Sequence, residues 1–143
     1  MRRFFAAALA WAACVAAVPV GPNLFIAGEG FTLEQALADA RSQRTPLDPA
    51  FYKVLVTGSE VPRLVSENIT SDVAQLVADA QRRGARFFVC AKDLVTLGAT
   101  PGDLLPGVQA VRGYRSRRDR DMPAWVRTLP PAPDRKAMSV CSS

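Results

Sequence analysis

Apolar and polar positions along this chain follow two alternating periods. Short runs rich in β-branched and aromatic residues predict strands: "NLFIAG" (23–28), "FYKVLVTG" (51–58), "ARFFVC" (85–90) and "VQAVRG" (108–113). Between the first two, Thr32 opens a capping box with Gln35, and Leu33, Ala36, Leu37 and Ala40 share one helical face. A second helix is expected from Ser71, as its N-cap, to about Arg83. Val73, Leu76, Val77 and Ala80 form its stripe, and Gly84 stops it. "KDLVTLG" predicts a short helix closed by Gly98, while "TPLDPA" and "TPGDLLPG" read as turn-rich connections.

The last four residues of "ARFFVC" are apolar without interruption, which suits a central strand covered on both faces. Strands separated by helices predict an α/β fold: a three-layer, mostly parallel open sheet of four to five strands with helices on both faces. Regularity stops after Gly113. "YRSRRDRD" is charged, "MPAWVRTL" is expected to form one or two helical turns with Trp125 packing inward, and "PPAPDRKAMSVCSS" reads as an extended tail.

A length of 143 residues allows one domain, and an apolar share of 49% supplies a core. "MRRFFAAALAWAACVAAVPV" places two arginines before an uncharged apolar stretch and small residues at Val15, Ala16 and Ala17. It reads as a cleavable export signal. The expected organisation is a signal peptide over 1–17, an α/β domain over 18–113, and a basic tail over 114–143 packing partly on that domain. The expected location is periplasmic or secreted, without integral membrane association.

Charge is uneven. Residues 18–111 carry eight Lys/Arg against ten Asp/Glu, whereas residues 112–143 carry eight against three. The basic run of Arg112, Arg115, Arg117, Arg118 and Arg120 is by default a solvated surface. With an exported address, nucleic acid is not an expected partner.

The chain has no histidine, which excludes Ser-His-Asp and Cys-His catalysis and imidazole-bound metals. "GEG" (28–30) lacks the full G-x-G-x-x-G spacing, so no cofactor is expected. Thr57, Ser59 and Glu60 in "TGSEV" follow the second strand and either line a pocket mouth or, more commonly, cap and solvate a turn. Signal removal leaves Cys90 and Cys141, too few for a four-ligand metal site.

Cys90 ends a strand directly before a helix start, where ligands and reactive groups gather in parallel sheets. The positive helix end and Lys92 favour a thiolate there, making Cys90 a candidate nucleophile. The alternative is a buried, inert cysteine. Cys141 is either a resolving thiol for Cys90 or its partner in a structural disulfide.

"GARFFVCAKDLVTLGATPGDLLPGV" resembles the cysteine-bearing segment of the DsrE/DsrF-like sulfur-relay family: strand, cysteine, short helix, glycine about eight residues on, and a loop into the last strand. "FYKVLVTGSEVPRLV" and "DVAQLVADAQRRGA" fit the same order, and the resemblance spans about residues 24–113. It implies a three-layer α/β fold, frequent homo- or hetero-oligomers, and a cysteine that accepts sulfur as a persulfide. Carried onto this chain, it implies Cys90 as the sulfur or thiol-redox site, with a protein partner that donates or accepts sulfur or electrons. The family's usual C-terminal helix is expected to be replaced by the basic tail. The other function class is a non-catalytic periplasmic binding or assembly module stapled by a Cys90–Cys141 disulfide.

Overall fold

The computed structural model describes residues 23–142, so the expected signal segment lies outside the described residues. Four parallel strands stand side by side in chain order: β1 (Leu24–Ala27), β2 (Tyr52–Val56), β3 (Ala85–Cys90) and β4 (Val108–Val111). The fold is the expected α/β type, with four strands among the described residues. β3 lies between β2 and β4, which accounts for its unbroken apolar run.

Helix α1 (Leu33–Gln43) starts from the expected capping box. The Thr32 hydroxyl accepts from the Gln35 N–H at 3.1 Å, and the Gln35 side chain accepts from the Thr32 N–H at 2.8 Å. Helix α2 (Ser71–Arg82) is capped one residue earlier than expected. The Thr70 hydroxyl, not that of Ser71, accepts from the Val73 N–H at 3.2 Å. Ser and Thr are both favoured caps, so the two adjacent positions do not by themselves fix which one is used. Helix α3 (Ala91–Leu97) follows β3 without a linker.

The strand order explains how the layers are filled. Parallel crossovers are right-handed, so crossovers stepping always in one direction leave their helices on one face. Leu33, Ala36, Leu37, Val73, Val77, Ala80 and Leu94 accordingly share one buried cluster with Val54, Val56, Phe87 and Val89. The opposite face carries Leu55, Cys90 and Val111, and no crossover helix serves it. It would lie bare without the chain beyond β4.

That chain is not an extended tail. It forms helix α4 (Ala124–Thr128), then wraps the β4 edge, where Arg112 N–H donates to Pro130 O at 3.0 Å and Ala132 N–H donates to Arg112 O at 2.8 Å. Trp125 and Leu129 pack on the first cluster, as anticipated for Trp125. Helix α5 (Arg135–Val140) then covers the second face, burying Ala137, Val140 and Cys141 against Leu55, Cys90 and Val111. This corrects the extended reading of the tail, whose residues Arg135–Val140 form a short helix. It forms because Asp134 caps it, accepting from the Ala137 N–H at 2.9 Å, and because the bare sheet face needs an apolar cover.

The loop after β2 takes structural tasks. Glu60 accepts from the Leu33 N–H at 3.0 Å at the start of α1, and Arg63 bridges Glu60 and Glu34. The hydrogen bond from Arg63 holds the Glu34 carboxyl down at about 2, against an ordinary 4.5. A carboxyl lowered in this way adds stability that is present above pH 4.5 and lost as pH falls through about 2. Glu34 is 51% exposed, so solvent limits the effect to under about 1 kcal/mol. Denaturant unfolding of wild type and Glu34→Gln should therefore differ at neutral pH and converge as pH falls from 4.5 towards 2.

Candidate functional site

Cys90 closes β3 and stands immediately before α3, at the carboxyl edge of the sheet, as the sequence placed it. Its side chain faces away from the α1–α2 layer, because alternation along β3 sends Phe87 and Val89 to that side and Phe88 and Cys90 to the other. On this second face it meets Cys141 at the end of α5. The two are joined as a disulfide, Sγ to Sγ 2.12 Å and Cα to Cα 5.1 Å. Cys90 is 0% exposed and Cys141 6%.

Three further contacts fix α5 beside this bond. At its start, Lys53 of β2 pairs with Asp134 at 3.3 Å, and the same carboxylate caps the helix. At its end, the Lys92 ammonium donates to Val140 O at 2.7 Å. A cation at the carboxyl end of a helix satisfies an orphan carbonyl and complements the helix dipole. Lys92, expected beside a Cys90 thiolate, thus has a defined task at α5. Beyond the helix, Ser142 accepts from the Tyr114 N–H at 2.6 Å and donates to Met138 O at 2.6 Å.

Above the disulfide, at the carboxyl ends of β3 and β4, lies a pocket of about 160 Å³. Ala91, Lys92, residues 112–116 after β4 and Cys141 line it, and Cys90 is not among the lining residues. Arg115, Arg118 and Arg127 line this concavity together with Lys92 and Arg112, and Asp119 is the one carboxylate among the described lining residues. Arg112 is engaged with the wrapped segment, its Nε donating to Leu129 O at 3.1 Å. The basic run is solvated as expected, with Arg115, Arg117, Arg118 and Arg120 all exposed, and part of it also borders this concavity. Of these four arginines only Arg115 and Arg118 line the pocket, whereas Arg117 and Arg120 lie outside it.

The other sequence candidates do not join this site. Thr57 is buried, Glu60 holds α1, and neither they nor Ser59 line the pocket. "GEG" is a tight crossing of two backbones. Gly28 has φ +123°, and a Cβ there would sit 1.8 Å from Thr57 O, whereas Gly30, at φ +84°, faces open space. Among the described residues no group of three or more His, Cys, Asp or Glu is arranged to hold a metal ion. No described helix is long and apolar enough to cross a membrane.

The site can therefore do two things chemically. The disulfide can hold the second layer on the sheet, and the pocket beside it can receive negative charge. Comparisons with protein-family models, curated proteins and solved structures yield no match to this chain.

Proposed function

We propose that this protein is a non-catalytic exported binding module whose Cys90–Cys141 disulfide is a structural staple. The observation that carries this reading is the burial of both sulfurs in one bond that clamps α5 across the sheet. Attack on a disulfide needs a thiolate to approach one sulfur along the bond, and burial of both impedes that approach. The oxidised pair also suits an oxidising compartment.

A second reading rests on a different observation, the presence of Cys141 among the residues that line the pocket. In it the protein is a thiol-redox or sulfur carrier of the DsrE/DsrF-like kind. A partner's thiolate attacks Cys141 Sγ through the pocket, forming a mixed disulfide and releasing Cys90 as a thiolate. Cys90 then either attacks Cys141 Sγ and expels the partner's thiolate, or attacks the outer sulfur of a partner's persulfide, becoming a persulfide itself as the partner's thiolate leaves.

Thiol counting and redox equilibration separate the two. For the staple, native protein shows no alkylatable thiol, glutathione leaves the bond intact, and the reduction potential lies below about −300 mV. Ready reduction by glutathione without unfolding, followed by alkylation of Cys90 well below the ordinary thiol pKa of about 8.5, overturns the staple reading in favour of the carrier.

A further inference from the structure

We infer that the pocket over the disulfide binds a small organic anion with a carboxylate or phosphate head and a short apolar body. The inference names the ligand class for the binding-module reading and uses the same carboxyl edge, but its residues act independently of whether the disulfide is reducible.

Charge is the first argument. Five cationic residues, Lys92, Arg112, Arg115, Arg118 and Arg127, line one concavity with one carboxylate among the described residues, Asp119; Lys92 and Arg112 already donate to backbone carbonyls, which leaves the three exposed arginines. Asp119 is also committed elsewhere, accepting from the Ser116 N–H at 2.9 Å. Like charges gathered over low-dielectric walls repel one another, and a bound anion relieves that repulsion. Arg115, Arg118 and Arg127 make no hydrogen bond or ion pair among the described residues, so their guanidinium forks are available to oxyanions. A guanidinium matches the two oxygens of a carboxylate or phosphate with paired N–H groups.

Shape is the second argument. The pocket is well below the roughly 300–1,000 Å³ of sites for drug-sized ligands, which selects a small molecule over a nucleotide. Its remaining walls include Ala91, Met122, Val126 and Cys141, an apolar lining that inorganic phosphate would leave unused. The backbone around it is held in place. Ser116 and Asp119 form a capping box, Arg112 is tied to Leu129, and the disulfide fixes Cys141. A held site binds without a large ordering cost.

Calorimetric titration of the oxidised protein with phenyl phosphate, benzoate and inorganic phosphate, at matched ionic strength, tests this. Phenyl phosphate or benzoate should bind at least tenfold more tightly than inorganic phosphate, and the better of the two identifies the head group. Arg118→Ala and Arg127→Ala should each weaken binding about tenfold or more, the loss of one charge-assisted contact. Arg120→Ala, which removes the same charge outside the pocket, should leave affinity within about twofold. No binding of either organic anion at about 10 mM overturns the inference, as does equal weakening by Arg120→Ala, which would mean only a diffuse cationic field. Binding of all three anions with equal affinity overturns the apolar-body part. Thiol counts taken on the same samples keep the two questions apart. Failure to bind with the disulfide buried and intact sinks the anion site alone, and easy reduction with binding preserved sinks the staple alone.

Discussion

Replacing Cys141 by serine should lower the melting temperature of the oxidised protein by roughly 10–20 °C. The bond closes a loop of 51 residues, and in the chain-entropy account such a cross-link stabilises by about 4 kcal/mol through the unfolded state. The native side adds to this, because the substitution leaves a buried hydroxyl in the apolar cluster of Leu55, Val111, Ala137 and Val140. Circular dichroism melts of wild type, with and without strong reductant, and of Cys141→Ser measure it. Reduced wild type should melt near the variant. A variant that melts with the oxidised wild type would mean that α5 is held by Lys53, Lys92 and apolar packing alone, and the staple would lose its purpose.

Gly28→Ala should cost roughly 3–5 kcal/mol in urea unfolding, and Gly30→Ala only about 1 kcal/mol. Both glycines sit at positive φ, so both substitutions incur backbone strain. The difference lies in what the added methyl meets. At Gly28 it would lie 1.8 Å from the Thr57 carbonyl oxygen, which is backbone and cannot swing aside. At Gly30 nothing lies within 4 Å. The Ala27 carbonyl next door accepts from the Thr57 N–H at 2.9 Å, so relief of the clash must also disturb the β1–β2 pairing. Equal costs at the two positions would show that the β1 and β2 ends are not held this close.

What the sequence reveals here depends on how local the cause is. The β3–Cys90–α3 unit was legible because an apolar run, a helix start and Gly98 lie within fourteen residues of one another. The start of α1 was legible because the whole capping box falls between Thr32 and Gln35. Helix α5 was not. Six residues are too few for a periodic stripe, and the proline-rich stretch before them argues for extended chain. Its local signals are Asp134 in capping position and Ala137 with Val140 on one face. What makes these suffice comes from far away: Lys53 is 81 residues from Asp134, Lys92 is 48 from Val140, and Cys90 is 51 from Cys141. The same reason hid the pocket. Lys92 and Arg127 meet only because the chain turns around the β4 edge. Cysteine spacing alone left the Cys90–Cys141 pairing open, since it does not say whether the tail runs back across the sheet.

Chain order puts the cover of the second sheet face last. During synthesis β1 to β4 emerge first, and the helices that shield their other face emerge with them. Leu55, Cys90 and Val111 can be covered only once Cys141, thirty residues beyond β4, is in place. Until then this sheet face presents apolar side chains and an unpartnered thiol. The wrapped segment is thus the lid that ends the vulnerable period, and the sulfur–sulfur bond is its lock.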